Sequence, residues 1–135
     1  MASILKVDAL QGVTAAGSIL VTGEGNSTTT NLQQGLAKAW LNMFGDDVTV
    51  RDSINISTTA DTATGKKVVN ISNAFVNDDY ATATSVGENT TSAGNRASST
   101  TPLSTTSFQF FTTSTSAGGY SDCDFMTGSV HGDLA

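Results

Sequence analysis

The segment "SINISTTADTATGKKVVNIS", residues 53–72, decides the fold class because it describes two strands joined by a turn. In its first part, Ile54 and Ile56 alternate with serine and asparagine, which is the pattern of a strand with one buried face. In its last part, Val69 and Ile71 repeat this alternation. The sequence therefore predicts two neighbouring strands that contribute these four side chains to one core.

The residues between these strands predict a β-hairpin. Asp61 and Gly65 lie in the connection. Both residue types favour tight turns, because aspartate bonds to nearby backbone groups and glycine adopts positive φ without strain. We therefore expect the two strands to pair in antiparallel fashion.

Strand and turn signals continue towards the C-terminus. A turn through residues 77–79 leads into a strand near Tyr80, and "SFQFFTTST" places Phe108 and Phe110 on one face of another strand. Residues 87–106, in contrast, lack apolar periodicity and contain glycine, asparagine, serine and the only proline. This composition predicts a long loop.

The last strand lies in "DCDFMTGSVHG" and has two registers that fit equally well. Either Met126 and Val130 point inward, or Phe125 and Thr127 do. With this strand included, the chain has roughly five to seven short strands and no amphipathic helix after residue 45. The predicted fold class is all-β, an antiparallel β-sandwich that is jelly-roll-like or a small barrel.

The segment "NLQQGLAKAWLNMFGDD", residues 31–47, fits two incompatible patterns. With a helical period, Leu32, Leu36, Trp40 and Met43 share a face; with a strand period, Trp40 and Phe44 do. Gly35 would cost a helix about 1 kcal/mol relative to alanine, whereas a strand lets both aromatic rings join the core of the hairpin. We therefore interpret residues 37–44 as the first sandwich strand and Gly35 as the joint before it. The predicted core or interface residues are Trp40, Phe44, Ile54, Ile56, Val69 and Ile71.

Residues 1–36 differ from the rest of the chain. Their short apolar clusters are separated by glycine, alanine, serine and threonine, and each cluster is too short to form a core alone. This pattern predicts an extended N-terminal docking or oligomerisation arm before a β-sandwich module at 37–135. An edge strand of the same domain is the alternative. The predicted docking residues are Ile4, Leu5, Val7, Leu10, Ile19 and Val21.

Composition excludes several classes of partner. Charged residues form 13% of the chain, compared with about 25% in soluble globular proteins, while serine and threonine fill about a quarter of it. The net charge is -6, and the six Lys and Arg residues form no basic stripe. We therefore expect no direct binding to nucleic acid and none to an anionic membrane.

Localisation signals are equally sparse. The start "MASILKVDALQG" has Lys6 and Asp8 where a secretory signal would be apolar. No apolar run approaches the roughly 20 residues of a membrane span. The sequence therefore predicts a soluble protein made in a cytoplasm.

Few side chains suit catalysis. Cys123 is the single cysteine and lies between two aspartates, which raise the pKa of a thiol. His131 has only Asp133 nearby as an orienting partner and is interpreted as a surface residue near the C-terminus. With no triad, cofactor fingerprint or Cys/His cluster, we expect no enzyme activity, no cofactor and no metal.

Three acidic pairs leave Ca²⁺ binding as an alternative to simple turn and strand-entry roles. They are Asp46 with Asp47, Asp78 with Asp79, and Asp122 with Asp124.

Three stretches carry a resemblance to a known group of proteins: "QGLAKAWLNMF", "VTVRDSINIST" and "TGKKVVNISNAFVNDDY". Together they resemble a recurrent module in short virion and fibre-like proteins of marine tailed bacteriophages. The opening "LKVDALQG" and the closing "HGD" are also similar to those proteins, whereas "NMFGDD" and "GKKVV" depart from the usual pattern. The matching positions are Lys38, Ala39, Trp40, Phe44, Arg51, Asp52, Ser53, Asn55, Gly65, Val69, Ile71, Ala74 and Tyr80.

The resemblance implies a β-rich structural or adhesive protein with no catalytic residues. On this basis we expect a capsid-surface decoration (cement) protein or short spike that docks by its arm; the chain has no long repetitive stalk of the kind that a fibre needs. The alternative is a tail-fibre or receptor-binding tip that adheres to host-surface glycan. The expected partners are further copies of the chain, with a trimer as the first choice, and the major capsid protein or tail proteins. The expected location is the surface of the virion.

Overall fold

The computed structural model describes residues 4–12, 19–22, 29–89 and 95–134. The chain divides into two compact units, Met1–Leu36 and Ala37–Ala135. In the described part of the first unit, two short strands pair in antiparallel fashion and one helical turn follows. These elements are β1 (Leu20–Thr22), β2 (Thr29–Asn31) and α1 (Leu32–Gly35).

The first unit is therefore not a single extended segment where it is described. Leu32 N–H donates to the Ile19 carbonyl at 2.9 Å, which ties the start of α1 to β1. β1 and β2 pair with each other in a two-stranded sheet, and the alternative of an edge strand of the same domain stays a prediction. A docking or oligomerisation role for residues 1–36 stays a prediction.

The second unit is an all-β sandwich, as the sequence predicts, and within its described residues it contains two four-stranded antiparallel sheets. Sheet 1 has the order β4-β3-β10-β7, and sheet 2 has the order β5-β6-β9-β8. The jelly-roll-like or small-barrel form stays a prediction. The strands are β3 (Ala39–Phe44), β4 (Val50–Ile54), β5 (Ile56–Ala63), β6 (Lys66–Ile71), β7 (Ala81–Gly87), β8 (Arg96–Ser104), β9 (Ser107–Ser114) and β10 (Phe125–His131).

One hydrophobic core lies between the two sheets. Phe108 and Phe110 are fully buried on one face of β9, as predicted, and β10 takes the register that points Met126 and Val130 inward. Gly128 lets the Phe110 ring approach β10, because a Cβ there would lie 2.8 Å from Phe110 Cζ. The buried core comprises Ala39, Leu41, Met43, Val69, Ile71, Phe75, Tyr80, Phe108, Phe110, Cys123, Met126 and Val130.

The predicted hairpin is confirmed as β5 and β6, with Gly65 in the turn. Gly65 has a φ of 66°. A Cβ at this position would lie 2.5 Å from the Thr112 carbonyl oxygen and 2.8 Å from Ser121 N. Only glycine therefore allows the turn to pack against the backbone of the neighbouring segments.

The prediction that Ile54 and Ile56 share one strand face is wrong. Asn55 lies between β4 and β5 with a φ of 58°, so the chain leaves sheet 1 at Ile54 and enters sheet 2 at Ile56. Ile54 is 52% exposed on the outer side of sheet 1, whereas Ile56 packs against the core. A left-handed residue breaks the two-residue alternation on which the prediction depended.

The Asn55 side chain holds this corner in place. Its amide nitrogen donates to the carbonyls of Lys38 (3.1 Å) and Asn73 (3.2 Å). Its Oδ1 accepts from the Asn73 N–H at 2.7 Å, and its own carbonyl accepts from Ser72 N–H. One side chain therefore links the start of β3 to the segment that follows β6.

Substitution of Asn55 separates the two contributions to this corner. Asn55→Gly keeps the left-handed backbone but removes the side-chain hydrogen bonds, and we expect a loss of about 2–3 kcal/mol in the free energy of unfolding. Asn55→Ala adds the strain of positive φ, about 1 kcal/mol more. Urea unfolding of both variants and the wild type measures the difference. Equal stability of Asn55→Ala and the wild type would contradict this account of the corner.

The assignment of Trp40 and Phe44 to the core is also wrong, and their assignment to an interface stays a prediction. In β3 the buried positions are Ala39, Leu41 and Met43, while Trp40 and Phe44 are half-buried on the outer face of sheet 1. The period of two was predicted correctly, but the opposite face points inward, and such a one-residue shift exchanges every side chain. The predicted core positions Val69 and Ile71 are buried as expected.

The predicted loop at 87–106 contains strand β8, so this prediction is wrong for Arg96–Ser104. The strand lies at the edge of sheet 2 and pairs with β9. Its half-buried positions alternate with exposed ones, as in any strand, but they carry Arg96, Ser98 and Thr100 in place of apolar residues. Burial therefore alternates along this strand, but hydrophobicity does not, and the sequence pattern gave no sign of a strand.

Polar side chains of β8 face polar side chains of β7, and of Glu88 directly after it, across the two sheets. We call this contact the polar seam. Its members are Glu88 with Arg96 (Oε1 to Nε, 2.5 Å), Thr84 with Ser98 (Oγ1 to Oγ, 3.2 Å), and Thr82 with Thr100 through their hydroxyls.

Candidate functional site

Buried charge occurs on the inner face of sheet 2, at Lys67. This side chain is 1% exposed, and its Nζ lies 2.8 Å from both Asp61 Oδ2 and Asp122 Oδ1. Gly65 N–H also donates to Asp122 Oδ1, at 2.7 Å. The cluster joins the β5–β6 hairpin to the segment between β9 and β10, which is a structural role.

The pKa values in this cluster favour the ion pairs. Burial lowers the pKa of Lys67, but hydrogen bonds to Asp122 and Asp61 outweigh burial, so the pKa is raised overall. The hydrogen bond from Lys67, followed by that from the Gly65 N–H, lowers the pKa of Asp122. Both groups are therefore charged at neutral pH, and Lys67 supplies no free amine for catalysis.

Removal of the two acids should destabilise the fold more than removal of the lysine. Asp61→Asn combined with Asp122→Asn leaves a buried ammonium without a counter-charge, at an expected cost of about 3–5 kcal/mol. Lys67→Met fills similar space and leaves only carboxylates that are 43% and 40% exposed and stay hydrated. Denaturant unfolding measures the stability of both variants. A larger loss in the free energy of unfolding for Lys67→Met than for the double variant would contradict this ranking.

The lowered pKa of Asp122 gives stability a defined pH dependence. A carboxyl whose pKa is lower in the folded state stabilises the protein above its ordinary pKa, and this contribution is lost as pH falls through the folded value. We therefore expect the free energy of unfolding to fall below about pH 4. In Asp122→Asn that acid dependence should be weaker. Identical pH profiles of the two proteins in this range would refute the assignment.

Cys123 is buried just before β10, outside the strands, and not within one as expected. Burial is the main cause that raises its pKa to about 11, and the Glu88 carboxylate adds to this. The sequence indicated the neighbouring aspartates as the cause, and Asp122 contributes less than burial does. The thiol is protonated at neutral pH and is unsuited to nucleophilic attack.

Two of the remaining candidates for chemistry, Asp46 and Asp124, line one small pocket next to Phe44 and Phe125, whereas His131 lies at the other end of β10. His131 is half-buried at the end of β10, opposite Ala81 of β7. Asp124 accepts a hydrogen bond from Asn89 N–H, and Asp46 from Asp47 N–H. Within the described residues, no group of three or more His, Cys, Asp or Glu side chains is arranged to hold a metal ion.

The outer face of sheet 1 carries a shallow groove of about 480 Å³ beside Trp40. Trp40 is paired in register with Ser129 of β10, which is paired with Ala83 of β7. We call this the Trp40 groove. It is lined by Trp40, Leu41, Asn42, Ala83, Thr84, Ser85, Thr127, Gly128 and Ser129.

The residues that line the groove are uncharged. Asn42 is paired with Thr127, and Thr127 with Ser85, which forms a second row beside that of Trp40. The Asn42 Oδ1 atom is enclosed and has no hydrogen-bond partner among the residues that the structure describes. Because this atom is enclosed, it is not accessible from the groove, and the Thr127 hydroxyl donates to the Ser85 carbonyl at 3.5 Å.

A second aromatic cluster lies on the same sheet. The rings of Phe44 and Phe125 are 5.8 Å apart, and the Arg51 guanidinium lies 5.3 Å and 5.5 Å from their centroids. Such contacts between a cation and aromatic faces stabilise the protein by about 0.5–1 kcal/mol at exposed sites. Phe44 was predicted to lie in the core, but it lies on the outer face of sheet 1, where the Arg51 guanidinium covers its ring.

The predicted docking residues are largely exposed, apart from half-buried Ile19. Ile4 is 78% exposed and Leu5 is 79% exposed. Seven of the eleven exposed large hydrophobic side chains in the described residues belong to the first unit. They are Ile4, Leu5, Val7, Leu10, Leu20, Val21 and Leu36.

Comparisons with known proteins do not assign these features. No protein-family model matches the chain, and neither a curated protein nor a solved structure is similar enough to match it. Among the described residues, no helix has the length and apolarity that a membrane crossing requires.

Proposed function

We propose that the chain is a non-enzymatic structural protein of a tailed bacteriophage virion, most simply a capsid-surface decoration protein or short spike. The first unit docks on the capsid or tail, and the β-sandwich is displayed on the particle. The sequence resemblance supports the phage context. The observation that carries the docking role is the concentration of exposed apolar side chains in the first unit.

Burial of these side chains against a partner supplies the free energy of docking. A fully buried leucine or isoleucine side chain contributes about 1.5–3 kcal/mol. β1 and β2 add backbone groups that can pair with a strand of a neighbouring protein. Docking of several copies around one site makes a homo-oligomer, with a trimer as the first choice.

The sandwich suits display because its exposed strand positions are mostly small and polar. In β7 and β8 the exposed positions carry alanine, serine and threonine, together with Pro102 and Leu103. Hydroxyl groups keep such a surface hydrated with few charges. The proposal therefore assigns attachment to one unit and exposure to the other.

The location on the particle tests the decoration role. A cryo-EM map of the virion that encodes the chain should show hundreds of copies on the capsid, and capsids without the protein should rupture at lower temperature. A few copies at one vertex or at the tail tip would refute decoration and favour the receptor-binding alternative.

Substitutions in the first unit test docking directly. The quadruple variant Ile4→Ser, Leu5→Ser, Val7→Ser and Leu10→Ser should bind particles that lack the protein at least about a hundredfold more weakly, since four apolar side chains are removed. The matched control, Val76→Ser with Leu103→Ser, changes exposed apolar side chains of the sandwich and should bind normally. Co-sedimentation with the particles measures both. An equal loss of particle binding in the two variants would contradict docking by the first unit.

A further inference from the structure

The Trp40 groove has one aromatic wall and a floor of small residues. Ser129 and Ala83 continue the row of Trp40 across two strands, and neither side chain is large enough to fill the space beside the indole. Neighbouring strands are about 4.8 Å apart, so the floor is about 10 Å wide. This width accommodates a single sugar ring placed beside the tryptophan.

The polar groups of the groove suit a ligand that carries many hydroxyls. Ser129 and Ser85 supply hydroxyls that donate and accept, and the Thr127 hydroxyl, which donates to the Ser85 carbonyl at 3.5 Å, supplies an acceptor. A sugar combines an apolar C–H face, which packs on an indole ring, with hydroxyls that pair with such groups.

Charge narrows the class of sugar. The groove has no charged residue in its lining, and the nearest acidic position in register is Asp52, paired with Asn42 on the side of β4. The chain has a net charge of -6. The nearby Arg51 is held over two phenylalanine rings, away from the lining. Nothing in the groove offsets the charge of an acidic sugar.

We propose that the Trp40 groove is a binding site for a neutral saccharide, with Trp40 as the stacking platform and Ser85, Thr127 and Ser129 as hydrogen-bonding groups. The proposal does not rest on a virion location, because it depends only on the outer face of sheet 1. The proposal assigns saccharide binding to the outer face of sheet 1, whereas docking is assigned to the first unit.

The single tryptophan makes the site directly observable. Trp40 is the only tryptophan of the chain, so all tryptophan emission reports on the groove. The full chain is titrated with a panel of neutral mono- and oligosaccharides, and with sialic acid as the anionic comparison. We expect a saturable change in emission with at least one neutral sugar below about 10 mM and none with sialic acid.

Two variants locate the binding. Ser129→Leu fills the floor but keeps Trp40, and it should abolish the saturable change. Leu103→Ala alters an exposed apolar residue of sheet 2, outside the groove, and should leave the titration unchanged. In calorimetry, Trp40→Ala should weaken binding about thirtyfold or more, as for an aromatic hot spot.

Three results would overturn the proposal. The first is the absence of a saturable change with every neutral sugar of the panel. The second is a response to sialic acid alone. The third is an emission shift that depends on protein concentration and not on sugar, which would assign this face to contact between copies of the chain. Circular dichroism of each variant shows whether the fold is retained, so loss of folding is distinguished from loss of binding.

Discussion

The left-handed turn at Asn55 is the constraint on which the sandwich depends. It ends β4 in one sheet and starts β5 in the other without a connecting loop. Its side chain fixes the corner to the start of β3 and to the backbone after β6. Because β4 pairs with β3 and β5 pairs with β6, this corner connects the two sheets directly.

The same corner explains what could and could not be predicted from the sequence. The β-class and the β5–β6 hairpin followed from alternation and turn chemistry, which are local. The face of the sheet on which Trp40 and Ile54 lie could not be predicted in this way, because it depends on where the chain passes from one sheet to the other. Asparagine tolerates positive φ better than most residues, and that was the one local signal for a break between the two isoleucines.

The Trp40 groove illustrates a second limit of sequence reasoning. Its floor is assembled from β10 and β7, which are distant in sequence, and small polar residues carry no periodic signal of their own. Strand β8 was missed for a related reason, since its inward positions are polar. Lys67 occupies an inward position that a hydrophobic pattern would assign to solvent, and only its two acidic partners make that position tolerable.

The polar seam between β7 and β8 also determines how the sandwich opens. Separation of the sheets elsewhere exposes phenylalanine, methionine and valine side chains to water, which carries a hydrophobic cost. Separation along the seam instead hydrates hydroxyls and one ion pair. We expect local opening of the native state to begin on this side. The two sheets thus stay joined at the edge formed by β4, β5 and Asn55, and we expect water to enter first at the opposite edge, between β7 and β8.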